Sequence, residues 1–145
     1  MTQPVFKLLR YRVFQVFPDK AEEQLYESME IPDQKEVDLK EGATYEEGIQ
    51  SYLRILFYVK EQGIKGLTCK RKVFKGPICV NTQNTLMGDF EPSEEVQEYN
   101  FEVLDTPSGF FVRGGFSLEL QFFDQEDQLL MKIKYPFQII KAKPK

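Results

Sequence analysis

Hydrophobic and polar residues alternate with a period of two over most of residues 109–140. The hydrophobic positions before the acidic turn 124–127 are Phe116, Leu118, Leu120 and Phe122. Those after it are Met131, Ile133, Tyr135, Phe137 and Ile139. A strict period of two predicts a pair of antiparallel strands with one buried and one solvated face. Because such a ribbon is not stable alone, a second sheet or a ligand must cover its hydrophobic face.

Further strands are predicted along the rest of the chain. They cover residues 4–17, 50–60, 64–80 with a break at 75–77, and 99–104. The acidic stretch 19–36 has hydrophobic residues at near-helical spacing, so it is interpreted as a short helix or an irregular crossing. Turn residues at 105–109 separate the 99–104 strand from the ribbon. The pattern predicts one all-β domain over residues 1–145, an antiparallel β-sandwich of seven to nine strands with a basic tail at 141–145.

Composition agrees with one ordinary β-rich domain. The chain has 145 residues, of which 41% are hydrophobic, and it includes 13 Phe and 7 Tyr, enough to bury a core without disulfides or metal. The net charge of −4 argues against binding of nucleic acid, which requires a basic surface. No hydrophobic run is long enough to span a membrane and no signal peptide is visible, so a cytoplasmic location is expected. Cys69 and Cys79 are then expected to be reduced, with a disulfide between neighbouring strands as the alternative.

The absence of histidine excludes most hydrolytic and metal chemistry. Neither a Ser-His-Asp triad nor a Cys-His pair can form, and two cysteines cannot complete a zinc site. Only a glycosidase-like carboxylate pair remains formally open. The sequence therefore predicts no enzyme activity, no cofactor and no metal site. The basic run 70–72 suggests either an anion site or an edge strand protected by charge, and the edge strand is favoured.

An ordered series of short motifs is more specific than any of these patterns. It begins with Leu39-Lys40-Glu41-Gly42, Phe57-x-Val59 and Val73-Phe74-Lys75-Gly76, and continues with residues 86–92, LMGDFEP. Glu94-Glu95, Tyr99-x-Phe101, Pro107-x-Gly109, Arg113-Gly114 and the hairpin end 122–127 follow in order. Over residues 5–141 the series resembles the C-terminal domain of the Rho GDP-dissociation inhibitors. The ending 122–140 also resembles the lipid-binding delta subunit of rod phosphodiesterase, which has a similar fold.

The resemblance implies an immunoglobulin-like sandwich whose two sheets part to hold an isoprenoid lipid. It implies a monomeric carrier that extracts prenylated Rho-family small GTPases from membranes, regulates their cycling, and touches the membrane surface only transiently. Phe57 and Leu118 match positions that line the lipid pocket of the family, and strand parity adds Leu120, Ile133 and Tyr135. The acidic loop residues Glu94, Glu95 and Glu98 match the region that meets the basic C-terminal segment of the GTPase, where opposite charge speeds encounter.

The sequence departs from the family pattern at three places. The spacing from Gly42 to Phe57 is longer than in the family. The family ends with a Trp-x-Trp pair, whereas this chain has no Trp and has Ile133 and Tyr135 near that place. The family also carries a long N-terminal arm over the GTPase, but Met1 lies almost at the first predicted strand. The resemblance therefore predicts prenyl binding and leaves inhibition of nucleotide dissociation open.

Two other functions remain as alternatives. A general carrier of lipidated cargo, like the phosphodiesterase delta subunit, would bind a lipidated peptide as tightly as a whole GTPase. A scaffold sandwich would use the hydrophobic face of 109–140 only as core, and its acidic loop would be an ordinary solvated loop.

Overall fold

The structure, a computed structural model, describes residues 5–18, 22–106, 109 and 113–142. Within these ranges the chain forms eleven β-strands and no helix, which confirms the all-β class. The strands are β1 (Val5–Val16), β2 (Glu23–Glu27), β3 (Glu36–Asp38), β4 (Thr44–Glu46), β5 (Gln50–Lys60), β6 (Ile64–Lys75), β7 (Ile78–Phe90), β8 (Gln97–Asn100), β9 (Leu104–Asp105), β10 (Gly114–Phe123) and β11 (Leu129–Ile140). The number exceeds the predicted seven to nine because β3, β4 and β9 are only two or three residues long.

The first sheet has the order β2-β1-β5-β8, and β9 also pairs with β5. Its long central pair is antiparallel, with a register that runs from Val5 opposite Lys60 to Val16 opposite Gln50. The inner face of β5 consists of four buried residues, Leu53, Ile55, Phe57 and Val59. On the other face of β5, Leu56 is also buried and two tyrosines are half-buried, so both faces of this strand are partly covered.

The second sheet has the order β3-β11-β10-β6-β7, and β4 also pairs with β11. The ribbon predicted from the alternation is the β10–β11 hairpin, with Gly114 opposite Ile139 and Phe123 opposite Leu129. On the other edge of β11 the short strands β3 and β4 pair in parallel. The hairpin is therefore the centre of this sheet.

Aromatic contacts between the inner faces hold the two sheets together. Tyr11 of β1 stacks on Tyr135 of β11 with ring centroids 4.1 Å apart, and Phe6 meets Phe122 of β10 at 4.6 Å. These four side chains are at most 8% exposed. Burial of a large apolar side chain contributes about 1.5–3 kcal/mol, so the Phe6–Phe122 contact stabilises the pairing of the sheets.

The acidic stretch 19–36 contains a strand, so the interpretation as a helix was wrong. β2 pairs antiparallel with β1, and Leu25 and Tyr26 pack against the core. Just beyond β2, Ser28 continues the edge. Its amide donates to the Tyr11 carbonyl at 2.9 Å, and its Oγ accepts from the Tyr11 amide at 3.0 Å. Pairing with β1 thus outweighs the near-helical spacing, which extends over too few residues to form a stable helix.

Residues 64–90 form one hairpin, β6–β7, which turns at Gly76 with a φ of 60°. The prediction of an edge strand at 70–72 was wrong, because β6 lies between β10 and β7. Both cysteines are free, Cys69 buried and Cys79 exposed, so the expectation of thiols rather than a disulfide is confirmed. The predicted turn at 105–109 and the basic tail 141–145 fall partly outside the described residues.

Candidate functional site

A cavity of about 460 Å³ lies between the two sheets. This volume is within the range of roughly 300–1,000 Å³ that is typical of small-molecule sites. The lining comes from the first residues of β5, the last residues of β6 and the beginning of β10. The other walls are the end of β11, β4, part of β7 and the segment around β9. The lining residues are Tyr45, Ser51, Tyr52, Leu53, Arg71, Val73, Lys75, Val80, Asn81, Gln83, Glu102, Leu104, Asp105, Thr106, Phe116, Leu118, Phe137 and Ile139.

The hairpin β10–β11 supplies a hydrophobic wall of this cavity. Phe116 and Leu118 are consecutive inward positions of β10, and Phe137 and Ile139 are consecutive inward positions of β11. Phe116 and Phe137 are opposite each other in the register and stack with centroids 5.3 Å apart and an interplanar angle of 13°. Tyr45 of β4 meets Phe137 edge-on at 5.4 Å. Period-two alternation thus places flat apolar side chains side by side where the sheets diverge.

The opposite side of the cavity is more polar. Arg71 and Lys75 are inward positions of β6, and Gln83 on β7 is the cross-strand neighbour of Arg71. Glu102 and Asp105, both exposed, line the same side from the segment around β9. The site therefore combines an apolar wall with a polar one, which suits a ligand that has a hydrocarbon part and a polar part.

Four polar groups lie in the core or in the cavity wall: Tyr11, Tyr135 and Cys69 are buried in the core, and Tyr45 lines the cavity. The Tyr11 and Tyr135 hydroxyl groups have no hydrogen-bond partner among the described residues. Burial raises the pKa of Tyr11, of Tyr135 and of Tyr45 above its ordinary value. Burial also raises the pKa of the Cys69 thiol to about 12. These groups are therefore neutral at physiological pH, and Cys69 is not a reactive thiolate.

A carboxylate–guanidinium pair joins chain segments next to β4, β10 and β11. Glu47, between β4 and β5, accepts from Arg113 Nε at 2.9 Å and from Nη2 at 2.8 Å. It also accepts from the amides of Gly109 at 2.9 Å and Ala142 at 3.4 Å. The side-chain hydrogen bond from Arg113, followed by the bond from the Gly109 amide, lowers the pKa of Glu47 to about 2. One charged carboxylate thus connects three segments that are distant in sequence.

The structure brings one of the five predicted lipid-contacting residues to the cavity wall. Leu118 lines the cavity. Phe57, Leu120, Ile133 and Tyr135 are at most 2% exposed and belong to the packed core. Strand parity placed them correctly on inner faces, but it does not determine where along the strand the two sheets separate.

The predicted acidic residues lie toward the other end of β5. Glu94, Glu95 and Glu98 are exposed, and the amide of Ser93 donates to the Val59 carbonyl at 2.8 Å. The cavity meets β5 at residues 51–53. At about 3.3 Å per residue, Glu94 and Glu95 are roughly 20 Å from the cavity along the strand, whereas Glu98, opposite Leu56 in the register, is about 10 Å from it. Glu94 has only a weak contact with Lys60, at 3.8 Å.

Several cavity residues were not predicted. Phe116, Phe137 and Ile139 have the same parity as Leu118, so alternation was a sufficient signal for their inward orientation. Arg71 alternates with Cys69 and Val73 on the inner face of β6, and this parity could have separated it from its neighbours in the basic run. For Glu102 and Asp105 no sequence signal was available, because they follow the irregular end of β8.

Other classes of site are not seen in the described part of the chain. No group of three or more His, Cys, Asp or Glu residues there could hold a metal ion. The described residues also contain no helix that is long and apolar enough to cross a membrane.

Comparison with known proteins links the chain to one family. The family model described as "RHO protein GDP dissociation inhibitor" matches residues 15–142. "Rho GDP-dissociation inhibitor 1" of Arabidopsis thaliana is 31% identical over 106 residues, which are 73% of this chain and 42% of that protein. The "Probable rho GDP-dissociation inhibitor" of Caenorhabditis elegans is 29% identical over 105 residues, 72% of this chain and 52% of that protein. The chain thus spans about half the length of the curated relatives it matches.

Among solved structures, the chain is similar to a Niemann-Pick type C2 protein from the Japanese carpenter ant. The TM-score is 0.52 with 11% sequence identity, and the match covers 69% of this chain and 81% of that one. At this identity the likeness shows the fold alone, an immunoglobulin-like sandwich, and confirms the predicted architecture.

Proposed function

Because this chain belongs to the family of Rho protein GDP-dissociation inhibitors, we propose that it binds the prenylated C-terminus of a Rho-family small GTPase. The isoprenoid lies in the cavity between the sheets, so the GTPase is withdrawn from the membrane and its cycling is regulated. One copy of the chain binds one GTPase in the cytoplasm. The family is one of regulatory inhibitors rather than enzymes, which agrees with the expectation that the chain has no catalytic activity.

The observation that carries this proposal is the cavity of about 460 Å³ with its wall of Phe116, Leu118, Phe137 and Ile139. Burial of a lipid chain contributes about 0.8 kcal/mol per CH₂. The roughly 20 carbons of a geranylgeranyl chain therefore give a gross gain of about 16 kcal/mol. After association costs of about 8 kcal/mol, about 8 kcal/mol remains, which corresponds to a dissociation constant of about 1 μM. A cleft between two sheets covers more of the lipid chain than a flat surface does, so it gains more of this free energy.

The predicted lipid-contacting residues have two different roles in this proposal. Leu118 contacts the isoprenoid directly from the cavity wall. Phe57, Leu120, Ile133 and Tyr135 support the wall from the core, because they are packed against neighbouring side chains rather than open to the cavity. Substitution of these four residues is then expected to lower stability before it lowers affinity.

We also propose that Glu94, Glu95 and Glu98 meet the basic segment that precedes the prenylated cysteine. The distance along β5 is about 10 Å for Glu98 and roughly 20 Å for Glu94 and Glu95, which about three to six extended residues of the GTPase span. Opposite charges at these distances steer the encounter and fix the orientation more than they add affinity. The contact is therefore expected to weaken as salt increases.

Fluorescence titration with a dansyl-geranylgeranyl cysteine peptide tests the proposal. A dissociation constant of about 1 μM or lower is expected for the prenylated peptide, with no detectable binding of the same peptide without the lipid. Competition by a full-length prenylated Rho GTPase is then expected at lower concentration than competition by the peptide. Equal competition would instead favour a general carrier of lipidated cargo, and failure of a folded chain to bind any lipid would leave only a scaffold sandwich.

A further inference from the structure

The polar side of the cavity contains a buried arginine without a counter-charge among the described residues. Arg71 is 8% exposed, and its guanidinium lies 4.6 Å from the centroid of the Phe101 ring. Its Nε and Nη2 atoms are shielded from solvent and have no hydrogen-bond partner among the described residues. Glu102 and Asp105 line the same cavity, yet no ion pair joins either to Arg71 in the described ranges. A charge buried without a counter-charge is unfavourable, so this position calls for an anion from outside the described chain.

The two unpartnered nitrogens lie on one edge of the guanidinium group. The same edge of Arg113 is filled, since its Nε and Nη2 donate to the two carboxylate oxygens of Glu47 at 2.9 and 2.8 Å. A planar carboxylate fits this edge through two parallel hydrogen bonds. Arg71 therefore has the donor pair that the protein uses elsewhere for one carboxylate, but other parts of the protein cover both nitrogens and no carboxylate pairs with them among the described residues.

Arg71 lies next to the hydrophobic wall. Along β6 the next inward residue is Val73, which is the cross-strand neighbour of Leu118. Arg71 itself is opposite Leu120 on β10 and opposite Gln83 on β7. Residues two apart on one face of a strand are separated by about 7 Å. A ligand with its hydrocarbon chain against Leu118 consequently has its head group within reach of Arg71.

We infer that the cavity binds a lipid with a free carboxylate close to its hydrocarbon chain, and that Arg71 pairs with this carboxylate. The inference rests on the proposed function, for which it specifies the ligand: a C-terminal S-prenylcysteine whose α-carboxylate is not methylated. Because Nε and Nη2 are shielded from solvent without ligand, the Arg71 side chain turns toward the cavity when the lipid enters. The methyl ester has the same chain but no charge, so Arg71 discriminates between the two forms.

The test is calorimetric titration of the full chain with two lipids that differ only in this group. They are N-acetyl-S-geranylgeranyl cysteine as the free acid and as its methyl ester. The free acid is expected to bind about tenfold tighter or more, a difference of about 1.4 kcal/mol. Arg71→Met is expected to keep ester binding and to abolish the preference. The matched control is Lys70→Met, which removes the same charge from the outward face of the same strand and retains the preference.

The failures of the inference and of the proposed function are distinguishable. Equal binding of acid and ester to the unaltered chain overturns the inference and leaves lipid binding intact. Absence of binding of both lipids to the folded chain overturns the proposed function as well. Oleate that binds as tightly as the prenylcysteine acid overturns the assignment of the carboxylate to a prenylated C-terminus. If Arg71→Met does not fold, Arg71→Gln replaces it, because glutamine is uncharged but still polar. The ratio of the dissociation constants of acid and ester for the unaltered chain tests the inference without any variant.

Discussion

Replacement of Phe57 and of Leu118 by alanine separates the core from the cavity wall. Phe57 is 0% exposed, stacks on Phe6 at 5.3 Å and meets Phe90 edge-on at 5.2 Å. Removal of a fully buried Phe ring costs about 3–5 kcal/mol of the unfolding free energy, because a void remains where the ring was packed. A domain of this size has only about 5–15 kcal/mol in total, so Phe57→Ala is expected to be strongly destabilising.

Leu118→Ala is expected to lower the affinity for lipid more than it lowers stability. The side chain already borders a cavity, so its removal enlarges an existing space and costs only about 1 kcal/mol of stability. A lipid in the cavity loses contact with the missing carbons, however. At about 0.8 kcal/mol per buried CH₂ this loss is about 2 kcal/mol, or about 30-fold in affinity.

Urea unfolding and titration with the dansyl-geranylgeranyl peptide measure the two quantities for both variants. Phe57→Ala is expected to shift the urea midpoint and, where it remains folded, to bind lipid within a few-fold of the unaltered chain. The reasoning is refuted if Phe57→Ala changes stability by less than about 1 kcal/mol and abolishes lipid binding. Phe57 would then line the lipid site, and the sheets would part deeper than the cavity described above.

Three further substitutions test other parts of the account. Glu95→Lys is expected to weaken binding of a basic prenylated peptide several-fold at low salt and hardly at high salt, which titration at two ionic strengths measures. The pKa of Glu47 is lowered from 4.5 to about 2, so its contribution to stability is complete above pH 4.5 and is lost as pH falls toward 2. In Glu47→Gln the unfolding free energy is therefore expected to fall less steeply between pH 4.5 and pH 2 than in the unaltered chain. An equally steep fall would contradict this role of Glu47. A Cβ at Gly42 would overlap the carbonyl oxygen of Pro136, so Gly42→Ala is expected to lower the unfolding free energy by about 1–3 kcal/mol, whereas an unchanged urea midpoint would contradict the close approach.

The alternation of residues was sufficient to predict the centre of the fold. It predicted the β10–β11 hairpin and the inner face of β5, because period two is a direct consequence of strand geometry. For β1 it predicted the strand but not its inner face, because the register shifts between Leu8 and Arg10. It could not give β2, β3, β4 and β9. These strands have two to five residues, and they form because a long neighbouring strand supplies hydrogen-bond partners, not because of their own sequence.

The candidate site was less predictable than the fold. Parity determines the face of a residue, so it placed Leu118 and Leu120 on the same side. Which of them borders the cavity depends on the position along the strands at which the two sheets separate. No local sequence pattern indicates that position. Arg71 illustrates the same limit, because a charged residue within a basic run is expected to be solvated unless the strand is known to lie inside a sheet.

Methyl-resolved NMR of the isotope-labelled chain during titration with the geranylgeranyl cysteine peptide tests the central claim most directly. If the isoprenoid lies in the cavity, the largest shifts occur at the methyl groups of Leu53, Leu118 and Ile139, which line it. Leu8 and Leu67, buried in the core and not part of the lining, then keep their positions. Shifts centred on Leu8 and Leu67, or saturation of the peptide without any methyl shift, would contradict the placement of the lipid between the sheets at this cavity.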